Sequence, residues 1–96
     1  MNFSLYDPVV LVSFLGKEEP PEMVRDTDHY WKLIGQRGVI VKNEALSKMP
    51  RHERGERVLV TFDVDLSALD LSCHNEVPNS LWVFVSDLRC VSDREQ

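Results

Sequence analysis

The chain carries three histidines and two cysteines, His29, His52, His74, Cys73 and Cys90, which on residue type alone offer a nucleophile and a base. A thiolate beside an imidazole would make a covalent catalyst. Cys73 and His74 are sequence neighbours, however, and in an extended segment neighbours point to opposite faces. Zinc takes four ligands, usually delivered as close Cys-x2–4-Cys or His-x3–5-His pairs, and the chain has neither spacing. The carboxylates Asp63 and Asp65 could act as an acid–base pair only if burial moved their pKa values towards neutrality, and their alternation with Val64 puts them on a wet face. No phosphate-cradling glycine loop, dinucleotide fingerprint or Gly-x-Ser-x-Gly elbow is present. Catalytic residues, a metal site and a cofactor are therefore not expected, and the chemistry left is that of binding.

Two sets of residues could bind. The first is acidic and aromatic. Residues 58–96 carry two basic and seven acidic side chains, 2 − 7 = −5, and Asp63, Asp65, Asp70 and Glu76 could form a negative patch that steers a basic protein. Tyr30, Trp31 and Trp82 are the residue types that anchor interfaces, although a small core also needs large rings. The polar run His74 to Asn79 reads as a connecting loop long enough to serve recognition. The second set is basic: residues 42–57 carry Lys42, Lys48, Arg51, Arg54 and Arg57 against Glu44, Glu53 and Glu56, 5 − 3 = +2. Lys48, Arg51, Arg54 and Arg57 could touch phosphates, but phosphate affinity scales with the charge neutralised. The rest of the surface repels a polyanion, since the chain as a whole is at 11 − 16 = −5.

These residues need a scaffold, and the composition says which. Thirteen valines stand against two alanines, a β-branched bias that suits pleated strands. Strand signals run over Pro8–Leu15, apolar on both faces; Arg37–Lys42, entered through Gly35 and Gly38; Val58–Leu66, where Val58, Val60, Phe62, Val64 and Leu66 form a core face opposite a mostly wet one; and Ser80–Val85. The tight turn Ser86-Asp87-Leu88, one turn of 3₁₀ helix, leads into a closing strand Arg89–Val91. Between the first two strands, Tyr30, Leu33 and Ile34 share the face of a short helix capped by Asp26 or Thr27 and stopped by Gly35. A second short helix follows Asn43 as its cap and ends at Pro50. Residues 67–79 hold either an extra strand or an irregular loop.

At 96 residues the chain is expected to form a single domain, with a core over about 8–91 and a frayed tail at 92–96. The longest apolar run, Val9 to Leu15, is far short of the roughly 18 residues a membrane span needs, and Met1 to Tyr6 has no basic leader. A cytoplasmic protein with reduced cysteines is expected, as a monomer or a weak homodimer through edge strands.

Two stretches resemble a known fold family. Leu81-Trp82-Val83-Phe84-Val85-Ser86-Asp87-Leu88-Arg89-Cys90-Val91 has the aromatic strand, 3₁₀ turn and closing strand of SH3-like domains. Gly35-Gln36-Arg37-Gly38-Val39-Ile40-Val41 is similar to the Gly-x-x-Gly-x-Val strand start of small barrels, including KOW-type and bacterial SH3-like modules. The resemblance implies a mainly β, five-stranded SH3-like barrel with one or two short helical insertions. The early paired tyrosines and the Pro-Ser-Asn-Tyr stretch of proline-binding SH3 domains are missing, so a proline-rich ligand is not implied. Small acidic SH3-like proteins of bacteria, immunity proteins that neutralise a toxin among them, are the nearest in character. The expected function is a non-enzymatic protein–protein interaction module, an immunity or accessory protein with a basic partner bound through Tyr30, Trp31, Trp82, Asp63, Asp65, Asp70 and Glu76. The alternative is a nucleic-acid-binding KOW-type module using the basic loop 42–57.

Overall fold

The computed structural model describes residues 3–50, 53, 55–73 and 75–91. Five strands, β1 (Pro8–Leu11), β2 (Arg37–Asn43), β3 (Arg57–Phe62), β4 (Ser80–Phe84) and β5 (Leu88–Cys90), form one sheet in the order β4-β3-β2-β1-β5. Every pairing is antiparallel. The mainly β class is as the valine-rich composition predicts, the four apolar strand signals and the closing strand are all present, and the architecture is compatible with an SH3-like fold. β4 and β5 are the two edges, and the sheet is not closed into a barrel.

The glycines of the second strand act in different ways. Gly35 turns the chain at φ +91°, a left-handed value that favours glycine. Gly38 lies against β3 so closely that a Cβ there would sit 2.6 Å from the Thr61 carbonyl oxygen and 2.7 Å from Val60 Cγ1. Farther along β2 the register shifts between Ile40 and Lys42, a bulge that bends the strand and increases its twist. The one α-helix among the described residues, α1 (Glu44–Ser47), starts where predicted: Asn43 Oδ1 accepts from the Leu46 N–H at 3.1 Å. It ends earlier than Pro50, at Lys48 in the left-handed conformation, φ 61°.

Val9, Leu11, Ile40, Val58, Val60, Phe62, Leu81, Val83 and Leu88 supply the core from the sheet, and Phe14, Trp31, Leu33, Leu66 and Leu71 from the connections cover it. Each fully buried aliphatic contributes about 1.5–3 kcal/mol. The long β1–β2 and β3–β4 connections hold each other in place. The Ser72 N–H donates to the Thr27 carbonyl at 3.0 Å, the Tyr30 hydroxyl to the Ser72 carbonyl at 2.8 Å and Lys32 Nζ to the Leu69 carbonyl at 3.1 Å.

Several boundaries differ from the sequence pattern. The first strand stops at Leu11 because Phe14 to Lys17 form a reversal, with the Phe14 N–H on the Lys17 carbonyl at 2.8 Å and the reciprocal bond at 3.0 Å. The third stops at Phe62: the Asp63 N–H makes one last bond in register with β2, to the Arg37 carbonyl at 2.8 Å, and the chain then turns away. Asn79 then ties the chain ends of that connection together, with Nδ2 on the carbonyls of Phe62 and Val64 and Oδ1 accepting from the Leu66 N–H. The helix of the β1–β2 connection is two 3₁₀ segments, Asp26–Asp28 and Tyr30–Leu33, and the second has His29 at its N-cap without a side-chain bond. Residues Leu66–Leu69 are a 3₁₀ turn, not a strand, and the closing turn and strand begin one residue earlier than predicted, at Val85 and Leu88. The outer face of β3 is also drier than predicted, since Leu59 on that face is 2% exposed. The tail 92–96 lies outside the described residues.

Candidate functional site

The site begins with a backbone irregularity. Leu15 and Gly16, the central residues of the Phe14–Lys17 reversal, both have positive φ, 53° and 77°, as a type I′ turn requires. Glycine, asparagine and aspartate suit such positions, and a leucine there costs about 1–2 kcal/mol. The left-handed turn is held from below by Asp87, which is 1% exposed. Its carboxylate accepts from Leu15 N–H at 3.0 Å, Gly16 N–H at 3.0 Å and Ser13 Oγ at 2.5 Å. The Val12 N–H adds a bond to the Asp87 carbonyl at 2.9 Å. A buried acid from the last 3₁₀ turn thus fixes a strained leucine about seventy positions earlier and leaves its side chain 40% exposed.

That leucine lines an open groove of about 410 Å³ with Phe14, Met23, Val24, Tyr30 and Trp31, and Arg25 and Asp28 stand at its polar margin. Trp31 is 8% exposed and belongs to the core. Its ring meets Phe14 edge-on with centroids 5.0 Å apart, and its Nε1 is buried without a hydrogen-bond partner among the described residues. Tyr30 is half-buried, packed 5.6 Å from Phe14 by ring centroids. Burial first, then the negative charges of Asp28 and Cys73, push the Tyr30 hydroxyl above its ordinary pKa. Met23 stands 92% exposed on the far side, and its flexible thioether suits an adaptable contact surface. The segment around it, residues 16–28, carries Lys17 and Arg25 against Glu18, Glu19, Glu22, Asp26 and Asp28, 2 − 5 = −3.

The remaining predicted residues lie elsewhere. Trp82 and Glu76 meet at a second groove on the outer face of the sheet, which Lys42, Leu46, Met49 and Leu59 also line. Glu76 is ion-paired there with Lys42 at 3.2 Å. Asp65 and Asp70 bracket the Leu66–Leu69 turn. Asp65 Oδ1 accepts from the Ser67 N–H at 3.0 Å, and Asp70 caps the other end at φ 61°. With Asp63 they are exposed on the β3–β4 connection, outside both grooves' apolar linings. The seven residues expected to form one partner-binding patch are therefore divided among three places.

Of the basic set, Arg57 is engaged inside the fold. Its Nε donates to Glu44 at 3.0 Å and its guanidinium to the Pro50 carbonyl at 2.6 Å, with Glu44 itself buried. Lys48 is exposed at the end of α1. Arg51, Arg54 and His52 lie outside the described residues, as does His74. Both cysteines are free and exposed. Burial alone would raise the Cys73 thiol, but the N–H groups of Asn75, Ser80 and Asn79 and the Ser80 hydroxyl outweigh it and hold its pKa below the ordinary value. Among the described residues no cluster of His, Cys, Asp and Glu could hold a metal ion, and no helix is long and apolar enough to cross a membrane.

Leu15, Met23, Val24 and Asp87 were not signalled as site residues. Asp87 carried a visible cue, its place in a turn before the closing strand. Its partners lie 71–74 positions away, and no local pattern reports contacts at that separation. Comparison with protein-family models, curated proteins and solved structures finds no match for the chain.

Proposed function

We propose that this protein is a non-enzymatic protein-interaction module of SH3-like architecture, binding a basic partner through the groove of the β1–β2 connection. The bulge in β2 would curl the sheet towards a barrel, and the strand order with a 3₁₀ turn between β4 and β5 supports that architecture. One observation carries the reading of the groove: a buried carboxylate is used to hold Leu15 in a left-handed conformation that presents an apolar side chain to solvent. Strain of this kind clusters where a surface must be pre-shaped for a ligand. Leu15, Met23 and Tyr30 supply apolar contact, and the surrounding excess of glutamate and aspartate supplies attraction and a faster encounter with a cationic partner. A basic toxin or nucleic-acid-handling enzyme has the required charge, which is the setting of an immunity or accessory protein. The nucleic-acid alternative is less well supported, because Arg57 is already committed to Glu44 and Pro50.

The test is affinity capture from native lysate at moderate salt, with nuclease-treated and untreated halves and wild-type protein compared with Met23→Asp. Met23 is almost fully exposed, so the variant keeps the fold. The expected result is one stoichiometric protein that survives nuclease, is lost on Met23→Asp and is released as salt rises. Equal capture by both proteins, or capture that vanishes with nuclease, overturns the reading.

A further inference from the structure

Two walls of the β1–β2 groove present apolar side chains while their hydrogen-bond donors are already engaged. In the reversal, the N–H groups of Phe14 and Lys17 bond each other's carbonyls, and those of Leu15 and Gly16 are taken by Asp87. On the aromatic wall, the Tyr30 hydroxyl is given to the Ser72 carbonyl and Trp31 Nε1 is buried.

These engagements decide what kind of backbone the groove can take. A strand adds to a sheet through an open edge, and among the described residues none from β4 or β5, the two edges, lines the groove. A polyproline segment has no internal hydrogen bonds, and both aromatic donors are withheld from it here. A peptide group covered by apolar side chains without a partner is costly. An α-helix bonds its own backbone internally and presents only side chains, so walls of this kind suit it.

The rim selects the charge. The exposed Lys17 and Arg25 stand against the exposed Glu18, Glu19, Glu22 and Asp28, 2 − 4 = −2. None of these four carboxylates is in an ion pair among the described residues, so all four are open to an incoming cation. Asp28 belongs to the lining of the groove itself, with Met23 and Val24. A helix with one apolar stripe and lysines or arginines along its flanks meets both requirements.

We propose that the occupant of the groove is an amphipathic basic α-helix of the partner protein. Its apolar residues, spaced at i, i+3 or i+4 and i+7, seat over Leu15, Met23 and Val24, and its flanking cations face Glu18, Glu19, Glu22 and Asp28. This rests on the reading of the groove as the binding surface and adds the conformation of what binds there.

The probe is an acetylated, amidated peptide of about 15 residues, built of leucine and lysine with leucine at helical spacing. An isomer of the same composition with leucine at every second position is its control. Each labelled peptide is titrated with the full chain by fluorescence anisotropy, and circular dichroism follows helix content. The helical peptide is expected to bind and to gain helix content, and the isomer to bind at least about tenfold more weakly. Met23→Asp adds a negative charge, so binding held by charge alone would tighten, whereas a helix seated in the groove loosens by about fivefold or more. Leu15→Asn removes the aliphatic side chain and puts a residue suited to positive φ in the turn, so affinity is expected to fall while the thermal melt holds or rises. Equal binding of the two isomers, no binding of either, or a Met23→Asp protein that binds as tightly as wild type overturns the helix. A competition separates this from the reading beneath it. A Met23-dependent protein captured from lysate that the helical peptide fails to displace overturns the helix alone, whereas a lysate that yields no Met23-dependent protein overturns the reading of the groove.

Discussion

Replacing Asp87 by alanine removes the acceptor for three donors, Ser13 Oγ and the N–H groups of Leu15 and Gly16. Hydrogen bonds to a charged group are worth about 1.5–3 kcal/mol each. The Leu15–Gly16 turn lies at the surface, so water reaches its freed N–H groups, and the loss falls towards the lower end. Removing a buried carboxylate also recovers part of its desolvation cost. A net loss of about 2–3 kcal/mol follows, equivalent to a drop of about 8–24 °C in Tm for a domain of this size. The mechanism makes a sharper claim than the magnitude. Once Asp87 is gone, Leu15 is free to leave its left-handed conformation and regain about 1 kcal/mol of strain. In a Leu15→Gly background there is no such strain to regain, so the same Asp87→Ala change should cost about 1 kcal/mol more there. Urea denaturation of the four proteins in this cycle, with m-values checked for constancy, reads that difference. Identical costs in the two backgrounds, or an Asp87→Ala loss under about 0.5 kcal/mol, would refute the idea that the carboxylate holds Leu15 under strain.

Trp31→Ala should destabilise by about 3–5 kcal/mol, because the indole is buried against Phe14; a thermal melt within a few degrees of wild type would return Trp31 to the surface as an interface anchor. Tyr30 has a raised pKa, caused chiefly by burial, so its neutral form stabilises the fold fully below the unfolded value of about 10, and that stability is lost as pH rises through the folded value. The urea midpoint should therefore fall more steeply above about pH 10 in wild type than in Tyr30→Phe, and parallel curves would contradict the assignment.

Local rules recovered much of the scaffold. Apolar β-branched runs marked four of the strands, most clearly the third, where a two-residue period is visible without knowing what a strand pairs with, and the closing strand was legible from the turn before it. Asn43 was legible as a cap because capping acts within three residues. Gly35 and Gly38 were legible as the entry to the second strand, though the close approach of β3 that makes Gly38 necessary was not. The pattern over-extended the first and third strands, because Phe14 and Leu66 keep the apolar alternation while their backbones already turn. The groove was half legible: Tyr30 and Trp31 were singled out by residue type, whereas their degree of burial depends on Phe14 and on Ser72 in a distant connection.

The sequence by itself determined the β-rich class, the order of the elements and the acidic balance, because strand propensity, turn residues and formal charge are properties of short segments or of composition. Tertiary structure alone decided which residues act together. It placed Tyr30 and Trp31 in one groove and Trp82 and Glu76 in another, and gave Asp65 and Asp70 to the ends of a 3₁₀ turn. It also turned Arg57 from an exposed cation into the partner of buried Glu44, and set Asp87 beneath Leu15. Each of those outcomes depends on contacts between residues far apart in the chain, and such contacts are fixed by sheet register and by the packing of the long connections, which no window of neighbouring residues encodes.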